Sequence, residues 1–96
     1  MKFLVIATLK TTSRPTPELV SRYKSYVEDK VREGVFDVVY SVADKMQNIC
    51  IANADSREQL NRILEQIPSH GMADLDIYPL TDFSERMKAI AATTKG

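Results

Sequence analysis

The chain has 96 residues and a mass of 10.8 kDa, with thirteen Lys and Arg against thirteen Asp and Glu and a pI near 6.6. This length holds one domain, spanning residues 1–96, and a modest core. The even charge lacks the basic excess of a nucleic-acid binder, and no apolar run approaches the ~20 residues of a membrane span.

Single copies of Cys50 and His70 exclude an internal disulfide and leave no ordinary His/Cys zinc site. Gly34, Gly71 and Gly96 are scattered, so no phosphate- or dinucleotide-binding loop is present and no cofactor is expected. The N-terminal KFLVIATL is too short for a secretory leader and lacks a small-residue cleavage site. A cytoplasmic protein is expected.

Residues 2–9 are apolar on both faces, the mark of a central strand. Thr16 and Pro17 form an N-cap and first helical position. Leu19, Val20, Tyr23, Tyr26, Val27 and Val31 then recur at helical spacing until Gly34. Residues 35–43 and 46–54 read as a hairpin with its tip at Asp44-Lys45. Ser56 and Gln59 form a capping box for a helix carrying Leu60, Ile63, Leu64 and Ile67, which Pro68 ends. Residues 73–79 alternate as a half-buried strand, and Asp82 with Glu85 opens a last helix displaying Phe83, Met87 and Ile90. The tail 91–96 is expected to fray.

The order βαββαβ plus a helix predicts an α+β, ferredoxin-like antiparallel sheet of order 4-1-3-2, with two helices on one face. The bare face needs cover, so a homodimer forming an α/β barrel, or a larger homo-oligomer, is expected.

Strand periodicity assigns side chains to faces. Leu75 and Ile77 meet the helices, which turns Asp74, Asp76 and Tyr78 outward. On the first strand Phe3, Val5 and Ala7 face the helices and Leu4, Ile6 and Thr8 the bare side. In a symmetric hairpin Tyr40 faces Ile49 and Val38 faces Ile51. That bulky set, with Phe36 and Val42, is assigned to the helices. Asp37, Val39, Ser41, Met46, Asn48, Cys50 and Ala52 are assigned to the bare face. A one-residue slip would exchange the two sets.

Topology gathers the first loop, the hairpin tip and Ser69-His70-Gly71 at one end of the sheet. A small organic substrate is expected there on the bare face, bound by Thr8, Ser41, Asp76 and Tyr78 over a floor of Leu4, Ile6 and Val39. As the chain's one histidine, the side-chain type suited to proton transfer near neutral pH, His70 is the first base candidate, against the plainer reading of an exposed loop histidine. Asp74 is a second, and a carboxylate pair with Asp76 would share a proton. Asp37 is a third, set in the apolar run VFDVV, where it either works as an acid/base or guards an edge strand. Asn48 can donate to an oxyanion. Cys50 reads as a small hydrophobe, and Lys10, Arg14 and Lys45 as mouth charges.

Residues 32–34 (REG), the hairpin with Asn48 in its second arm, the Ser56-led helix, and Ile67-Pro68 followed by Asp74-Leu75-Asp76-Ile77 resemble the muconolactone delta-isomerase family. The resemblance covers about residues 1–80. It implies dimeric α/β barrels and cofactor-free movement of a C=C bond within an unsaturated lactone, by proton abstraction and return. The family's two tryptophans and arginine on the second strand are replaced by Phe36, Tyr40 and Ser41, and its L-F-P segment by Ser69-His70-Gly71. The fold therefore carries over better than the substrate.

The leading expectation is a cofactor-independent isomerase or cyclase moving a proton α or γ to a carbonyl. The alternatives are a cofactor-free monooxygenase of the antibiotic-biosynthesis type and a non-catalytic ligand-binding dimer.

Overall fold

A computed structural model describes residues 1–93. Its elements follow in the order β1 (Lys2–Leu9), α1 (Pro17–Arg32), β2 (Phe36–Ser41), β3 (Gln47–Asn53), α2 (Arg57–Glu65), β4 (Ala73–Leu80) and α3 (Phe83–Thr93). The four strands form one antiparallel sheet of order β2-β3-β1-β4. This is the ferredoxin-like α+β arrangement that the element order predicts.

Local chemistry sets the helix ends. Thr16 Oγ1 accepts the Leu19 N–H at 3.1 Å, ahead of Pro17. At the other end of α1, Gly34 adopts φ +78°, its N–H reaches the Val31 carbonyl, and Val35 N–H reaches that of Lys30. That pair of bonds is a Schellman motif, which requires the left-handed glycine. Ser56 Oγ accepts from Gln59 N–H at the start of α2, and Asp82 Oδ2 accepts from Glu85 N–H at the start of α3. The Tyr26 hydroxyl donates to the Ile63 carbonyl at 2.8 Å and fastens α1 to α2.

The core is small. Phe3, Val5, Phe36, Ala52 and Ala54 of the sheet side meet Leu60 and Leu64 of α2, and no polar residue among those described is buried with them. Phe3 and Val5 pair with Ala52 and Cys50 on β3, which places that alternation against the helices. Leu4 and Ile6 pair with Ile51 and Ile49 on the opposite, open face. On β4, Tyr78, Asp76 and Asp74 lie opposite Leu4, Ile6 and Thr8, as the alternation predicts.

The hairpin pairs as predicted but presents the reverse faces. Tyr40 lies opposite Ile49 and Val38 opposite Ile51, and both pairs line the open face. Val39, Ser41, Asn48, Cys50 and Ala52 turn toward the helices. A bulge between Phe36 and Val38 lets Phe36 rejoin the helix side and bury itself. The extra residue is Asp37, exposed and bonded to Lys2 Nζ and Asn53 Nδ2.

Helix α3 stands off the sheet. All its residues are exposed, and the molecule measures 56 × 28 × 22 Å. The radius of gyration is 16.0 Å, against about 13 Å for a compact chain of this length. Of the tail expected to fray, residues 91–93 complete α3 and 94–96 lie outside the described residues.

Candidate active site

A cavity of about 410 Å³ opens between the sheet and α1. It sits at the end of the sheet where β1 finishes, the hairpin turns and β4 begins. That end is the predicted one, but the layer is not. The cavity lies on the helix side, since Leu19, Val20 and Tyr23 of α1 and Leu64 of α2 line it.

Its walls are mostly apolar: Leu19 and Val20 from α1, Leu64 and Ile67 from α2 and its exit, Leu75 from β4. Its inner end meets a second void of about 30 Å³ that touches the core residues Val5 and Phe36. Tyr23 and Asn48 line both spaces, whereas His70 and Lys45 line only the outer one. The cavity therefore runs from a charged mouth to a neutral, polar inner end.

Three side chains form a connected group along one wall. Ser41 Oγ donates to Asn48 Oδ1 at 2.5 Å, and Asn48 Nδ2 donates to Tyr23 Oη at 3.2 Å. Ser41 and Asn48 are cross-strand partners on β2 and β3, and Tyr23 reaches them from α1. Each pairing fixes the amide's orientation from a different element.

The histidine is held by its loop. His70 N–H bonds to the Ile67 carbonyl at 2.9 Å, and Gly71 turns the chain with φ +93°. Ser13 Oγ and Lys10 N–H both donate to the Met72 carbonyl, tying this loop to the first one. His70 is exposed at the mouth, where Lys45 joins it from the hairpin tip.

Of the three base candidates, only His70 lines the cavity. Asp74 lies on the open face opposite Thr8. Asp37 occupies the bulge at the far end of the hairpin, where hydrogen bonds from Lys2 and Asn53 hold its carboxyl below the usual range. Asn48 and Ser41 line the cavity from the helix side, contrary to their predicted face. Val39 also turned inward and lines only the small inner void. Thr8, Asp76, Tyr78, Leu4 and Ile6 sit on the open face as predicted, outside the cavity. Thr8 Oγ1 there accepts from Gln47 Nε2 at 3.0 Å. Lys10 and Arg14 do not line the cavity, and Arg14 instead binds the Thr11 and Ser13 carbonyls.

Tyr23 lines the cavity although in the sequence it belongs to an apolar helical stripe. Its signal was the phenol itself, since a tyrosine packed against a sheet needs a partner for its hydroxyl. Cys50 packs against the core, and burial pushes its thiol up to about 11. Among the described residues no cluster of His, Cys, Asp and Glu suited to a metal occurs, and no helix is long and apolar enough to cross a membrane.

A family model described as muconolactone delta-isomerase matches residues 1–86. The chain belongs to the muconolactone delta-isomerase family. It is thus a member of an isomerase family by sequence. One relative, Muconolactone Delta-isomerase of Rhodococcus opacus, is 25% identical over 71 residues, covering 74% of this chain and 76% of that protein. The fold agrees with a crystal structure of muconolactone isomerase, with a TM-score of 0.75 and 24% identity over 85% of this chain and 90% of that one. A second similar fold, TM-score 0.59 and 14% identity over 88% and 98% of the two chains, is the 5-chloro-2-hydroxyhydroquinone dehydrochlorinase of Burkholderia phenoliruptrix in complex with 2,5-dihydroxybenzoquinone.

Proposed function

We propose that this protein isomerises a small unsaturated carbonyl compound of the muconolactone kind without a cofactor. The observation that carries the proposal is the placement of one titratable base and one amide–hydroxyl group on the walls of a single apolar cavity. Neutral His70 takes a proton from the carbon α or γ to the carbonyl. The electron pair left behind delocalises onto the carbonyl oxygen, giving an enolate or dienolate. The imidazolium then returns the proton to another carbon of the conjugated system. No atom is gained or lost, and no electron acceptor is needed.

The wall formed by Ser41, Asn48 and Tyr23 receives the developing negative charge. The apolar surroundings strengthen that interaction, because donors fixed in a water-poor site need no reorganisation. Lys45 at the mouth adds a positive charge that draws anionic substrates in. A second copy of the chain covers the open face, where Val38 and Tyr40 are 40% and 65% exposed.

The test is muconolactone in heavy water. Wild-type protein is expected to convert it and to incorporate solvent deuterium, and His70→Ala to lower the rate by at least ~10². Absence of both conversion and exchange in the wild type, or an unchanged rate in His70→Ala, overturns the proposal. Light scattering checks the assembly, since a mass near 10.8 kDa excludes the second copy.

A further inference from the structure

The direction of the hydrogen bonds in the wall singles out Tyr23. Ser41 spends its proton on Asn48 Oδ1, and Asn48 spends an N–H on the Tyr23 oxygen. Tyr23 Oη is thus an acceptor on its protein side. Its own O–H donates to no acceptor among the described residues. A phenol that accepts a hydrogen bond from behind is a stronger donor in front, because successive bonds polarise one another.

Position adds a second argument. Tyr23 and Asn48 stand where the cavity meets the core, while the base His70 and the cation Lys45 stand at the mouth. Negative charge forming at the inner end finds no cation among the residues that line it, only the phenol and the amide that backs it. Leu19 and Val20, one turn earlier on α1, keep the surroundings of the phenol apolar.

We infer that Tyr23 is a catalytic residue, donating its phenolic O–H to the substrate's carbonyl oxygen as that oxygen becomes an enolate. The inference rests on the isomerase reading above and adds a binding orientation. The substrate enters carbonyl first, with the oxygen at Tyr23 and the carbon that loses its proton turned toward His70. Asn48 is then a positioning residue for the phenol. The favoured substrate class is a ring-sized carbonyl compound whose acidic carbon lies across the ring from its carbonyl oxygen.

The experiment uses 4-nitrophenolate as an oxyanion probe, titrated into the full-length protein and followed by its absorption. Wild type is expected to bind it with a blue shift, the mark of hydrogen-bond donation to the oxyanion. Tyr23→Phe keeps the ring, and is expected to weaken binding by about 10- to 100-fold and abolish the shift. With muconolactone, Tyr23→Phe is expected to lower kcat and leave KM within about threefold. Asn48→Ala, which keeps the phenol but not its backing, is expected to retain a reduced shift. Failure of the wild type to bind the probe, or a Tyr23→Phe variant with wild-type affinity and shift, overturns the inference. A probe bound through Tyr23 with no turnover of muconolactone overturns the isomerase reading and leaves the oxyanion site standing. Turnover with wild-type kcat in Tyr23→Phe does the reverse.

Discussion

Ser41 and Asn48 face each other across the hairpin and are joined side chain to side chain at 2.5 Å, so the turn that pairs them also aims the amide into the cavity. Asn48→Ala removes the link between two strands and α1. Turnover of muconolactone is expected to fall by roughly 10-fold, less than in Tyr23→Phe, because the phenol that donates to the oxyanion remains but loses its backing. Stability should fall by only about 1 kcal/mol, the net worth of an ordinary hydrogen bond. Steady-state kinetics and urea denaturation on the same preparation separate the two effects. A loss of stability with kcat unchanged would make the amide purely structural.

Leu60 is fully buried and supports a core of seven residues. Leu60→Ala is expected to cost 2–5 kcal/mol, about the range for a large side chain deleted from a packed interior. The thermal midpoint should drop by more than about 10 °C. A drop of a degree or two in a calorimetric scan would mean that α2 collapses onto the void.

Asp37 is held below its ordinary value of 3.8, first by the hydrogen bond from Lys2 and then by that from Asn53. A lowered carboxylate stabilises the fold above its unfolded value, and the contribution disappears as pH falls through the lowered one. Asp37→Asn is therefore expected to melt slightly below wild type at pH 7 and to draw closer to it at pH 2. The pair is exposed, so the difference at pH 7 should be small. Melting curves that differ equally at both pH values would contradict this.

Burial alone raises the Cys50 thiol to about 11. At pH 8 almost none of it is thiolate, the reactive form. Reaction with a thiol reagent such as 5,5′-dithiobis(2-nitrobenzoate) should run about 10²-fold slower than with a free cysteine. It should accelerate only as the pH approaches 11 or the protein unfolds. Rapid labelling at pH 8 would show that the strand opens.

The order of elements, the caps at Thr16, Ser56 and Asp82, and the pairing of Tyr40 with Ile49 are local matters, and all were legible from the residues. The choice of hairpin face was not. Both faces of the sheet are apolar, with Phe3 and Val5 on one and Leu4 and Ile6 on the other, so hydrophobicity could not rank them. The small residues Ala52 and Ala54 are part of the buried core on the helix side. Bulk was the wrong guide. The bulge at Asp37 compounds this, since one unpaired residue reverses the alternation between Phe36 and Val38. Asp37 in VFDVV reads as either an acid/base or a guard of an edge strand, and it is the exposed residue that the ladder leaves out on the edge strand β2. His70 was placed at the right end because connectivity alone decides which loops meet. Tyr23 was hidden because its partner Asn48 comes from a strand whose face was assigned in reverse.

Leu64 is 3% exposed in the core and also forms part of the cavity wall, as does Ile67 at the core's edge. Filling the cavity thus completes the interior of the domain. A molecule that fits should raise the melting temperature, by about 2.7 kcal/mol of added stability at a hundredfold excess over its dissociation constant. For a domain this small that amounts to roughly ten degrees or more. The substrate can therefore be sought with a thermometer, by screening lactones, enones and quinones for the ones that make the protein hardest to melt.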